Sequence, residues 1–270
     1  MTCRLLLGVG CALALVGSDA GAQNSVVLRM APRLGDTLYL RLEQQMEMRG
    51  RTRDGVDTAR VMTTNLRVFA RVVPLRVAGG ATTVITITDS LLAGSGETSR
   101  QLDQVRSALQ GKRTDVRIMP DGAMEVVDPV EHDDDASPLF GSMPAVLPRG
   151  PVSPGDRWTR EMPLPMRGSR GTPAVVRATF RLDSLSRDNR IAFISVRGAF
   201  YDRPQGVRGP ERELEGSLTG AIEFNRELAW VTDSRTTITM RSDVRPPDIR
   251  ATPMEVWMRI TQRLQARSTR

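Results

Sequence analysis

The chain has 270 residues, 38 lysines and arginines against 31 acids, a formal net charge of +7, two cysteines and one histidine. Lys112 is the only lysine, and the arginines alternate with acids along the whole length. They do not gather into the basic stripe a duplex requires, so no nucleic-acid partner is expected.

Met1 to Ala22 reads as a secretory signal peptide. Arg4 supplies the positive start, Leu5 to Val16 the apolar core, and Ala20-Gly21-Ala22 a small-residue cleavage site before Gln23. Cleavage near Ala22/Gln23 would remove Cys3 and Cys11, leaving 248 residues without a thiol for use in the periplasm or outside the cell. Thiolate metal sites, cysteine nucleophiles and disulfides are then all excluded from the exported product.

From Gly35-Asp36 the sequence alternates. Leu38, Leu40, Leu42, Gln44, Met46 and Met48 share one face, while Tyr39, Arg41, Glu43, Gln45 and Glu47 share the other. Period two over this length predicts a long antiparallel strand with one buried face. Leu66, Val68, Ala70 and Val72 continue the pattern, Gly79-Gly80 turns the chain, and a third strand runs through Val84, Ile85 and Ile87. Within 97–111, Leu102, Val105 and Leu109 fall at helical spacing and Gly111 ends that helix. Asp121-Gly122 then joins two short apolar runs as a hairpin.

Residues 129–150 form an acidic, proline-rich linker containing Glu131-His132-Asp133-Asp134-Asp135, with a short helical turn from Ser137-Pro138. After it the order of events recurs. Gly155-Asp156 opens a strand with Trp158, Met162, Leu164 and Met166 on one face; Val176 to Leu182 and Ala192 to Phe200 follow, and Asn225-Arg226-Glu227 turns into Leu228 to Thr232. This predicts a mainly β protein built from two tandem copies of one long-stranded antiparallel unit, 23–128 and 151–250, as a half-open barrel or curved sheet with a few short helices. Thr252-Pro253-Met254-Glu255 resembles a capping box, so 251–270 is expected to be a C-terminal amphipathic helix with Met254, Trp257, Met258 and Leu264 on its apolar face.

The segment Pro151-Val152-Ser153-Pro154-Gly155-Asp156-Arg157-Trp158 resembles exported bacterial proteins of a family of unknown function whose second half opens on Pro-Val-x-x-Gly-Asp-x-Trp. Such proteins look like the half-open antiparallel barrels of the periplasmic lipoprotein carriers. The resemblance implies a binding role and supplies no catalytic residue to carry over.

Catalytic chemistry finds little support in the residues themselves. The lone histidine, His132, sits in an acidic loop without a nucleophile elbow. The acids beside it lack the alternating spacing of a calcium loop. Asp36 and Asp156 follow glycine at equivalent strand starts, where aspartate commonly satisfies turn amides. No metal, no cofactor and no enzymatic activity are therefore expected. A transmembrane barrel would need aromatic girdles, and aromatics are only 4% of the chain.

The expected function is an extracytoplasmic binding or carrier module whose concave apolar face, lined by Leu38, Leu42, Met46, Trp158 and Met162, takes a lipid, acyl chain or hydrophobic peptide. The alternative is a structural or interaction protein of the cell envelope without a small-molecule ligand. Expected partners are that hydrophobic ligand or an envelope protein, with peripheral contact to an anionic membrane surface.

Overall fold

The computed structural model describes residues 25–52, 61–95, 106–107, 109–127, 142–143, 145–167, 173–202, 214–244 and 254–269. These form β1 (Leu38–Thr52), β2 (Val61–Ala78), β3 (Ala81–Ser95), β4 (Arg113–Ile118), β5 (Met124–Val126), β6 (Ser142–Met143), β7 (Arg157–Arg167), β8 (Pro173–Leu185), β9 (Ile191–Asp202), β10 (Leu214–Asn225), β11 (Trp230–Val244) and β12 (Met254–Ser268). All pair antiparallel in one sheet, in the order β6-β5-β4-β3-β2-β1-β12-β11-β10-β9-β8-β7. The chain thus meanders up and down, its first and last long strands pair, and the sheet's two edges meet in mid-sequence.

Tight turns occupy one end. Gly79 and Gly80 both have positive φ (58° and 78°), as a two-residue type I′ hairpin demands. Asn189 and Ala229 supply the left-handed residues of the β8–β9 and β10–β11 turns. Gly35 and Gly155 are each the third residue of a turn, closed by Asp36 N–H to Arg33 O and Asp156 N–H to Ser153 O. The Asp156 carboxylate also accepts the Ser153 amide at 2.8 Å, which is the turn role expected of it.

Strand alternation then sorts the faces. Even-numbered residues of β1, β9 and β10, and of β8 up to Leu182, point inward and are mostly apolar; their odd-numbered neighbours point outward and include most of the charged residues. Val116 and Ile118 of β4 nevertheless line one cavity with Ile222 and Val231 of β10 and β11. Strands β4 and β10 are six places apart in the sheet, roughly 29 Å if it were flat at about 4.8 Å per strand. The sheet must therefore curl until its inner face meets itself. Glycines permit the curl: at Gly198, Gly216 and Gly220 a Cβ would collide with Val176, with the Phe200 ring and with the Arg235 carbonyl respectively.

Between β6 and β7 no ladder forms among the described residues, and the seam is closed instead by residues 145–156. Trp158 donates its indole N–H to Val146 O at 2.9 Å and stacks on Phe180 at 5.8 Å; Arg160 donates to Leu147 O at 2.5 Å. The N-terminal stretch crosses the turn end as a plug. It bonds Val26 to Val152, Met30 N–H to Pro120 O and Ala31 N–H to Ala229 O, and it buries Val26, Leu28 and Met30.

Two expectations are corrected here. Residues 254–268 are not a C-terminal helix but β12, held in the middle of the sheet between β1 and β11. Met254, Val256, Met258, Ile260, Leu264 and Ala266 fit period two as well as Met254, Trp257 and Met258 fit a helix, and two long strands on either side lacked a partner. The pairing also does not reproduce two copies. The first half shortens from fifteen residues in β3 to six in β4 and three in β5, whereas β9, β10 and β11 keep twelve, twelve and fifteen. Of the expected helix in 97–111, the described residues 106, 107 and 109 are helical, with Gln110 N–H reaching Arg106 O before Gly111 at φ 77°. The signal peptide, the 131–135 cluster, the Ser137-Pro138 turn and Thr252-Pro253 lie outside the described residues.

Candidate functional site

The strands are long, but only half of their inner face is packed. Near the turns, Leu38, Leu40, Val72, Val84, Phe180, Leu182, Ile194 and Phe224 are all below 5% exposed and form one core with the plug. An apolar cavity of about 80 Å³ remains inside it, too small for an acyl chain. Toward the other end the same face opens on one side: Leu42, Gln44, Met46 and Met48 of β1, and Val256 and Met258 of β12, are only partly buried and Met62 is 46% exposed, whereas Phe200, Leu214, Leu218 and Met240 of β9 to β11 stay buried.

The register orders this open half into rows. Leu66, Gln44, Gln262, Thr236, Gly220, Val196, Phe180 and Trp158 lie side by side. Here Gln262 donates to Gln44 at 2.8 Å, the one polar pair across the inner wall of β1 and β12. The next row out is Thr64, Met46, Ile260, Ile238, Leu218, Gly198, Ala178 and Arg160. Beyond it comes Met62, Met48, Met258, Met240, Gly216 and Phe200.

Among the described residues, one wall of this interior is low. β4 pairs β3 only from Thr82 to Ile87, and β5 and β6 are shorter still. Leu109 of the helical turn reaches in over that wall and packs against Val68 and Leu91, beside Leu42 and Leu66.

The expected site residues therefore separate. Met46 and Met162 lie on the inner face of the main cluster, partly buried, where a ligand could touch them. Leu42 is partly buried beneath Leu109. Leu38, at 1% exposure, is embedded in the turn-end core, and Trp158 is a strut of the seam, held by stacking on one side and a hydrogen bond on the other. Met254 and Met258 went unrecognised as lining residues because their segment was read as helical. The alternation of Met254, Val256, Met258 and Ile260 was the available signal.

The outer face is a lattice of charge. Glu43 sits between Arg41 at 2.6 Å and Arg67 at 2.9 Å; Arg71 pairs with Asp89, and Asp233 accepts from Arg263, Arg235 and Gln265. The Arg41 hydrogen bond, and then the Arg67 one, hold the Glu43 carboxyl below its ordinary value. Groups so exposed and mutually paired leave no unspent charge for a ligand in the shallow groove they border.

No family model matches the chain, and no curated protein matches it. Among solved structures it is similar to the Pseudomonas aeruginosa OccK2 (OpdF) protein, at 7% identity and a TM-score of 0.25, over 87% of this chain and 99% of that one. It is also similar to an outer membrane channel from Pseudomonas putida F1, at 10% identity and a TM-score of 0.22, over 88% and 98%. A glucuronate complex of the first gives 7% identity, a TM-score of 0.24 and coverage of 90% and 100%.

Proposed function

We propose that this is an exported, extracytoplasmic binding or carrier module that holds an acyl chain against the inner face of its open half. The observation that carries the reading is the contrast along β1 and β2: their even-numbered positions are sealed near the turns and partly exposed from Leu42 to Met48 and from Leu66 to Met62. Apolar surface left unsealed inside a curl costs about 25 cal/mol per Å² until something covers it. Flexible methionines suit an occupant of variable shape better than one of fixed shape. A lipid tail fits that demand. The wall that is low among the described residues of β4–β6 gives it a lateral way in, and the net charge of +7 would favour approach to an anionic membrane surface.

The signal-like first 22 residues support the export part of this reading. A structural role in the cell envelope through a free, basic C-terminal helix is not favoured, because residues 254–268 are a strand paired on both sides within the sheet.

Titration of the purified exported chain with a fluorescent fatty-acid analogue is expected to give saturable binding, displaced by unlabelled fatty acid. Met46→Glu, which puts a charge on the inner face, should abolish it, while Glu47→Gln on the outer face should leave it unchanged. Absence of saturable binding, or equal binding by Met46→Glu with its fold intact, would overturn the proposal.

A further inference from the structure

The outermost inner row contains four methionines on four consecutive strands: Met62 on β2, Met48 on β1, Met258 on β12 and Met240 on β11, each directly paired with the next. Directly opposed residues have Cβ atoms about 4.5–5.5 Å apart. The row lies on the inner face of the curl, the side on which neighbouring side chains are brought nearer to one another. Met254 adds a fifth from one side. A Cβ built on Gly50, the residue two along from Met48, would lie 2.9 Å from the Met254 terminal methyl, so that side chain lies folded across β1 toward the row.

Core filling does not account for the arrangement. A methionine used to fill a gap is covered, as Met30 and Met124 are, whereas Met62 is 46% exposed and Met48, Met254 and Met258 remain partly open; Met240 is the covered end of the row. The chemistry of the lining is equally one-sided. Neither this row nor the one below it, through Thr64, Met46, Ile260, Ile238 and Leu218, contains a carboxylate, imidazole or thiol. Hard cations would find no oxygen charge there, and zinc would lack its usual nitrogen and thiolate ligands. Thioethers in an apolar wall select a soft monovalent cation.

We infer that Met48, Met62 and Met258, with Met240 or Met254 completing the set, form a thioether site for Cu(I) or its redox-inert analogue Ag(I) at the open end of the sheet. Binding is simple ligation, with no electron or proton transferred. The site shares a wall with the proposed acyl-chain surface but does not depend on it. Methionine to leucine keeps the wall apolar and close to its original volume while removing the sulfur.

The test is titration of the purified exported chain with Ag(I) in chloride-free buffer, and anaerobically with Cu(I), read by calorimetry and by metal content after dialysis. One equivalent of either ion should be retained and Zn(II) should not. The Met48→Leu/Met258→Leu variant should lose about 10–100-fold in Ag(I) affinity or more, since losing ligands costs at least as much as losing their supporting partners. Met30→Leu/Met124→Leu, in the turn-end core, should bind as the parent does. No retained metal overturns the site, and so does equal Ag(I) affinity in the Met48→Leu/Met258→Leu variant or an equal loss in the core variant. Fatty-acid binding measured on the same proteins separates the two proposals: it should survive the loss of the sulfurs, and its failure would leave the metal result standing.

Discussion

At the scale of single residues, each face of a strand carries a different kind of energy. Phe180 and Leu182 stabilise by burial, which is insensitive to pH and salt, whereas Arg41, Glu43 and Arg67 contribute through exposed charge, which is sensitive to both. Glu43 gives the sign of the pH effect. Its carboxyl is held below the ordinary 4.5 chiefly by the Arg41 hydrogen bond, so the folded state binds fewer protons than the unfolded one in that range. Its stabilisation is complete above about pH 4.5 and is lost as pH falls through the folded value. Asp188 adds a small contribution of the same sign, held down by hydrogen bonds from the Ser186 hydroxyl and the Arg190 amide. Thermal melts of the parent should thus show a shallow decline on the acid side of pH 4.5, reduced by added salt. Glu43→Gln should flatten part of that decline and leave the melting temperature at pH 7 within a few degrees, as exposed pairs contribute about 1 kcal/mol or less.

At the scale of elements, β12 carries the most consequence. It pairs β1 from Leu38↔Ser268 to Thr52↔Met254 and β11 from Asp233↔Gln265 to Val244↔Met254, so it joins the two halves of the chain. A chain stopped before Met254 should fail to give a folded monomer, with sharp near-ultraviolet circular dichroism lost. A peripheral terminal helix would have left the remaining sheet intact. Ile260→Ala, a milder change at a position 8% exposed, should cost about 2–5 kcal/mol in urea unfolding. The same element marks where the sequence stopped being legible. Alternation gave β1, β2, β8 and β9 almost residue by residue, and the Gly79-Gly80, Asp121-Gly122 and Asn189 turns followed from local chemistry. For 254–268 local signals pointed both ways: a capping box and i, i+4 apolar spacing against period two. Only the unpaired edges of β1 and β11 decide it, and those are not local. The candidate site was half legible for the same reason. Met46 and Met48 stand out on an alternating strand, but their row with Met258 and Met240 exists only once β12 is placed.

On the scale of the whole molecule, a continuous hydrogen-bonded sheet couples a sealed end to an open one. Backbone pairing runs unbroken along β1, β12 and β11, yet inner-face burial does not, and side-chain packing is what distinguishes rows with the same ladder. Local opening should then cost least where few apolar contacts are lost. Amide hydrogen exchange should be slow for 38–42, 68–72, 178–182, 192–196 and 222–224, and markedly faster for 46–50 and 62–66, despite equivalent hydrogen bonds in both sets. If the open half is a binding surface, a saturating fatty acid stabilises the state it occupies and must slow exchange in the second set, leaving the first unchanged. Uniform protection along β1 and β2 without ligand would mean that the open half is already packed, and the distinction on which the binding role rests would be lost.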